Sequence, residues 1–255
     1  GEFLKYINYF IAYYMVSDIA RTEKDIRIIL STMILSAFGV AFIGIGSAAG
    51  SFSYHGAFVG GRIHSTLQYP NTLAAYLTAA FMLSTALWAT AQKRWQRGIL
   101  SLINYTFFLC FLFTLSRAAW LMFPVFFLIL IVGIPGQYRL KTLGYSIQTF
   151  ISAILASPGF GSAIAASNES KAWIWYTVGA LAALGMFYAV EKLSERFTFH
   201  IKPKVVLSVF VILAVLLGTG GYIALTTEAP LTLSHGENEE ESAKTSWYTI
   251  EDIKP

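Results

Sequence analysis

The chain has 255 residues, 56% of them hydrophobic and 13% charged, and a mean hydropathy of +0.59. A soluble domain carries roughly 25% charged residues, so this composition excludes a soluble globular fold and points to an integral membrane protein. The pI of 9.1 and net charge of +4 do not signal a nucleic-acid partner, because the basic residues sit in short clusters between apolar runs, the pattern of cytoplasmic membrane loops.

A bilayer core ~30 Å thick needs about 20 apolar residues of helix. On that scale, apolar stretches between charges predict about eight spans, near 3–20, 26–47, 71–90, 99–115, 118–134, 144–166, 172–190 and 205–225. The expected fold class is all-α: a polytopic transmembrane helix bundle over 1–225, followed by a tail over 226–255. The first span is the weakest, since Lys5, Asn8 and Asp18 fall within it.

Between the second and third spans lies a loop that contains Gly60-Gly61-Arg62-Ile63-His64-Ser65-Thr66-Leu67-Gln68-Tyr69-Pro70-Asn71. Asn71 is expected to cap the helix that follows, because its side chain can accept from the first free backbone N–H groups, and Pro70 is expected to end the loop. Residues 99–134 cannot be one helix, which would be about 54 Å long at 1.5 Å per residue. Both flanks are basic and want the same side of the membrane, so the stretch must cross and return, turning near Thr114-Leu115-Ser116-Arg117 without a Gly or Pro. Further on, Ser157-Pro158-Gly159-Phe160-Gly161 is the one candidate for a broken span.

Orientation follows from Lys and Arg in the short loops. Arg21, Lys24, Arg27, Lys93, Arg94, Arg97, Arg139, Lys141, Lys192, Arg196, Lys202 and Lys204 fall on one side, while the other holds Arg62, Arg117 and Lys171 before the tail. The first side is read as cytoplasmic. Residues 48–70, the point near Arg117, residues 167–171 and everything after 226 are then extracytoplasmic.

The tail is polar and acidic, and its Ser246-Trp247-Tyr248-Thr249-Ile250 run alternates as a strand does. It reads as the start of an exported β-type region. The opening Gly1-Glu2-Phe3 and the end at Pro255 read as cuts in a longer protein. Cys110, alone in the chain, allows no disulfide within it and reads as a small packing or lipid-facing residue.

No phosphate-binding Gly-rich loop with Lys-Ser/Thr, no His-Glu-x-x-His and no Gly-x-Ser-x-Gly is present. What stands out is the extracytoplasmic side. Arg117 lies between two apolar runs on the side that disfavours positive charge, and an Arg there is costly enough to point to a task. Arg62 is the one basic residue of its loop. Both have a plain reading as snorkelling arginines. The guanidinium fork, however, grips phosphate oxygens in bidentate fashion and stays charged, so the pair points to a phosphate ligand. His64, two residues from Arg62, is a weak candidate proton acceptor. His55, His200 and His235 are plain loop or tail histidines. Asn168-Glu169-Ser170 fits a glycosylation acceptor pattern too short to use, and Gly46-x-x-x-Gly50 reads as a packing or loop feature.

Two of these stretches, Arg62 to Pro70-Asn71-Thr72-Leu73-Ala74-Ala75-Tyr76-Leu77 and Thr114-Leu115-Ser116-Arg117-Ala118-Ala119-Trp120, occur in this order with one span and a cytoplasmic loop between. In this the chain resembles the O-antigen ligase and polymerase family of bacterial membrane proteins, well over residues 25–135 and only in general pattern beyond. The resemblance implies a GT-C-like bundle in the bacterial cytoplasmic (inner) membrane. It implies an enzyme, without metal or cofactor, that transfers a saccharide from a polyprenyl diphosphate carrier to an acceptor glycan, lipid or protein outside the cytoplasm. It also implies that Arg62 and Arg117 hold the diphosphate, while the family's essential outer-loop His has no matching motif here. Two alternatives are a transporter or flippase of a lipid-linked saccharide, for which polar or broken mid-membrane helices are expected, and a membrane anchor for an exported domain.

Overall fold

The computed structural model describes residues 2–196. The eighth predicted span (205–225), the tail and its β-type run, His200 and His235 lie outside the described residues. Within them the protein is mostly helical, with seven α-helices: α1 (Glu2–Ile19), α2 (Glu23–Ala49), α3 (Pro70–Thr90), α4 (Arg94–Phe113), α5 (Arg117–Gly133), α6 (Gly136–Ala165) and α7 (Glu169–Arg196). They occupy the first seven apolar stretches. Four of them, α2, α3, α6 and α7 (over Glu169–Lys192), are long and apolar enough to cross a membrane; α5 is a shorter apolar helix.

Local chemistry sets the helix ends. A capping box opens α2: Asp25 N–H donates to Thr22 Oγ1 at 3.2 Å, and Thr22 N–H donates back to Asp25 Oδ2 at 3.1 Å. Gly50 closes the same helix in the left-handed conformation, φ 91°, which a glycine adopts at no steric cost. A β-carbon at Gly46 would meet the ring of Phe52. Of the Gly46-x-x-x-Gly50 pair, one glycine therefore serves packing and the other a cap. Two expectations need correction. Asn71 is not the cap of α3: the helix begins one residue earlier, at Pro70, with Tyr69 as N-cap. Proline has no N–H to satisfy and its fixed φ suits the first turn, so it starts the helix instead of ending the loop. Nor does the chain break at Pro158, since α6 runs unbroken from Gly136 to Ala165. Its start, eight residues ahead of the apolar stretch, includes Arg139 and Lys141, good helix formers that an apolar count passes over.

Cross-bundle hydrogen bonds place the connections. Arg62 reaches the carbonyls of Thr114 and Leu115, and Ser51 Oγ donates to Glu169 Oε1 at 2.6 Å. The connections 50–69, 114–116 and 166–168 therefore share one end of the bundle. At the opposite end, Arg97 Nη1 pairs with Glu191 Oε1 at 2.8 Å, joining the start of α4 to the far part of α7.

The core is centred on α4, where Tyr105, Phe107, Leu109 and Cys110 are fully buried. Phe108 and Phe111 of α4 pack at a tilt against Phe123 of α5 with centroids 5.5 and 5.1 Å apart, and Phe111 also meets Trp120 at 6.0 Å. Rising numbers on one helix meet falling numbers on the other, as an antiparallel hairpin requires. Phe81 of α3 and Phe150 of α6 complete this aromatic cluster.

Small residues seam α6 to α7: Ala153, Ala156 and Ala163 on one side and Ala172 and Ala183 on the other are buried. Such residues let helix backbones approach closely. Gly179 is a tight point of the seam, because a β-carbon there would strike the Tyr105 hydroxyl and lie 2.6 Å from Ala156 Cβ. Gly179→Ala is therefore expected to lower thermal stability in detergent by several degrees, the usual size of a ~1–3 kcal/mol overpacking cost. Gly185→Ala on the same helix meets nothing within 4 Å and is expected to leave the melting temperature level or slightly raised. Equal effects of the two substitutions would show that the seam does not hold α7.

Candidate functional site

The end bearing the long 50–69 connection holds every candidate residue. Its centre is a hairpin of two short antiparallel strands, β1 (Phe58–Val59) and β2 (Arg62–Ile63), with Val59 opposite Arg62. Gly60 and Gly61 turn the corner at φ 56° and 74°, the left-handed pair that a two-residue hairpin turn demands. The hairpin sits on α2 where Gly44 leaves room: a β-carbon there would come 2.7 Å from Ile63 Cγ2 and 3.3 Å from Cys110 Sγ. Ser65 Oγ donates to Val40 O of α2 at 2.5 Å. Arg62 thus leaves a two-residue strand clamped from both sides.

Its guanidinium crosses to the α4–α5 turn, where Nε donates to Thr114 O at 3.0 Å and Nη2 to Leu115 O at 3.4 Å. These carbonyls follow the last residue of α4, where cationic donors complement the helix dipole. Leu115 holds φ 50°, unusual for a residue with a branched side chain. Ser116 then caps α5, its Oγ accepting from Ala119 N–H at 3.4 Å. Arg117 is the first residue of α5 and is exposed; its side chain makes no hydrogen bond or ion pair among the described residues. The two arginines thus converge on one turn, with different commitments. Arg62 has two of its five N–H donors engaged on backbone, and Arg117 stands uncommitted at a helix N-terminus, where backbone N–H groups and the dipole both favour an anion.

His64 is half-buried. Burial, and then the charge of Arg62, hold its imidazole below the ordinary histidine value, partly offset by a hydrogen bond with the Gln68 backbone. Both influences favour the neutral ring over the imidazolium. Asn71, in the first turn of α3, is exposed, and its Nδ2 donates to the Tyr69 hydroxyl at 3.4 Å. His55 is exposed.

Two features of this end escape a reading of residue types alone. One is a polar chain in which Trp173 Nε1 donates to Ser51 Oγ at 2.6 Å and Ser51 Oγ donates to Glu169. Glu169 is the first residue of α7, and the three connections themselves hold no carboxylate. The other is backbone strain. Among the described residues, those with positive φ other than glycine are Ser65, Gln68, Leu115 and Ser167, and all four lie in connections at this end. Such conformations cost about 1–3 kcal/mol each and gather at functional sites.

Among the described residues no group of three or more His, Cys, Asp or Glu could hold a metal ion. Comparison with protein-family models, with curated proteins and with solved structures returns no match.

Proposed function

We propose that the chain is a membrane-embedded glycan transferase of the O-antigen ligase and polymerase kind, and that the Arg62–Arg117 end receives the diphosphate of a polyprenyl-linked saccharide. One observation carries this reading: an uncommitted guanidinium, Arg117, stands at the N-terminus of α5 on a turn that a second arginine holds in place. In this reading the bundle has eight spans and a GT-C-like character, lies in a bacterial inner membrane, and turns the hairpin end and the C-terminal tail outward.

The transfer follows from the charges. An acceptor hydroxyl oxygen attacks the anomeric carbon, the bond from that carbon to the diphosphate oxygen breaks, and the diphosphate leaves with the bonding electrons. Negative charge grows on the leaving group, where a fixed cation stabilises the transition state more than the ground state. The hydroxyl proton must go to a base, and His64, whose neutral ring is favoured beside Arg62, is the candidate.

The flippase alternative loses its main sequence support, because α6 passes through Pro158 without interruption. Reconstitution separates the two. The intact protein in liposomes, with lipid-linked saccharide and an acceptor on the outward side, is expected to form the glycosidic product and to move no lipid-linked saccharide across the bilayer when acceptor is absent. Translocation without transfer would replace this reading with the transporter one, and neither activity would leave the anchor.

A further inference from the structure

Resting on that reading, we infer that Arg62 is a positioning residue: it holds the α4–α5 turn in the shape that presents Arg117, and Arg117 alone grips the diphosphate. Three observations lead there. The first is geometric. Arg62 spends its Nε and one Nη2 hydrogen on Thr114 O and Leu115 O, the two residues ahead of the Ser116-Arg117 helix start. Its fork is thus aimed at backbone.

The second is the state of the turn. It has neither Gly nor Pro, yet Leu115 sits at φ 50° with its side chain mostly exposed. A non-glycine residue stays left-handed only when its surroundings over-determine it. Packing on the Leu115 side chain does not supply that constraint. The guanidinium, bonded to the carbonyls of 114 and 115, does, together with the Thr114 hydroxyl, which donates to Phe111 O at 2.7 Å and accepts from Ser116 N–H at 3.4 Å.

The third is an internal precedent. At the opposite end of α5, Arg139 Nε donates to Ile134 O at 2.9 Å and Nη2 to Val132 O at 2.7 Å. The same fork therefore closes the carboxyl end of α5, far from the candidate site. Among the described residues the device recurs once more at the end of α1, where Arg21 Nε donates to Asp18 O at 2.8 Å, so arginine donation to helix-end carbonyls is a structural habit of this bundle.

Farnesyl diphosphate, a short soluble polyprenyl diphosphate, serves as the probe, with the intact protein in nanodiscs. Arg117→Ala and Arg62→Ala are each expected to weaken its binding about tenfold or more, the size of a lost charged hydrogen bond. The double variant is expected to bind no more weakly than Arg117→Ala alone, because Arg62 acts through Arg117. Arg62→Gln, whose amide can still donate to one carbonyl, should fall between wild type and Arg62→Ala, and Arg139→Ala, an equivalent cap at the other end, should bind as wild type. In parallel, amide hydrogen exchange over residues 114–119 is expected to quicken in Arg62→Ala and to stay unchanged in Arg117→Ala.

Losses that multiply in the double variant, or unaltered exchange in Arg62→Ala, would overturn the positioning role. Binding unaffected by Arg117→Ala would refute the diphosphate reading, while the exchange measurement still decides what Arg62 does.

Discussion

Arg117→Ala in the intact protein is expected to lower glycan transfer by about a hundredfold or more, with membrane insertion and thermal stability unchanged. Removing one preorganised donor aimed at developing charge typically costs ~10²–10³ in turnover. Arg117 is the first residue of a capped helix, exposed and without a partner among the described residues. Truncating its side chain therefore breaks no contact that the fold relies on. Arg117→Lys separates charge from geometry. An ammonium keeps the point charge and loses the planar fork, so intermediate activity is expected, with the greater part of the loss in turnover if the bidentate grip forms in the transition state. The measurement is the initial rate at saturating lipid-linked donor. Transfer by Arg117→Ala within a few-fold of wild type would end the proposal.

The largest stability effect is expected at the other end. Glu191 is 7% exposed at its side chain and pairs with Arg97 at 2.8 Å, with Arg94 Nε 4.0 Å from the same carboxylate oxygen. A buried ion pair loses about 3–5 kcal/mol when one partner is removed, because the other charge is left in a poor solvent, whereas replacing both by apolar groups is often neutral. Arg97→Met is accordingly expected to lower the melting temperature in detergent by roughly 10 °C, at about 2–4 °C per kcal/mol for a chain of this size. The double variant Arg97→Met with Glu191→Leu is expected to recover most of that loss. No recovery would mean that the ion pair itself supplies the stability.

Much of the bundle is legible in the sequence because lipid-scale helices leave long apolar runs that charges interrupt. The α4–α5 hairpin is the clearest case. Nothing in Thr114-Leu115-Ser116-Arg117 signals a turn by composition, yet two basic flanks and an overlong run require one, and the chain turns there. The hairpin of 58–63 was within reach, since Gly60-Gly61 between two short apolar-containing pairs is a recognised turn signal.

The rest depends on contacts between segments distant in sequence. Pro70 and Asn71 compete for the helix start, and the rigid ring wins because it needs no N–H partner. Pro158 sits in a helix that its neighbours hold together. Glu191 looks like one more charge in a basic loop until Arg97, on another helix, is brought to it. The division of labour between Arg62 and Arg117 is likewise invisible in a residue string. Both are arginines beside apolar helices, and only the carbonyls of Thr114 and Leu115 distinguish them.

The lengths of the connections carry a mechanical consequence. At the Glu191 end, adjoining helices are joined by segments of two or three residues, 20–22, 91–93 and 134–135, while the other end carries the twenty-residue stretch 50–69. Short links fix the distance between helix tips; the long one is itself pinned, to α2 by Ser65 and to the α4–α5 turn by Arg62. At that end the spacing of α2 and α3 is therefore set by side-chain contacts and not by the length of the link.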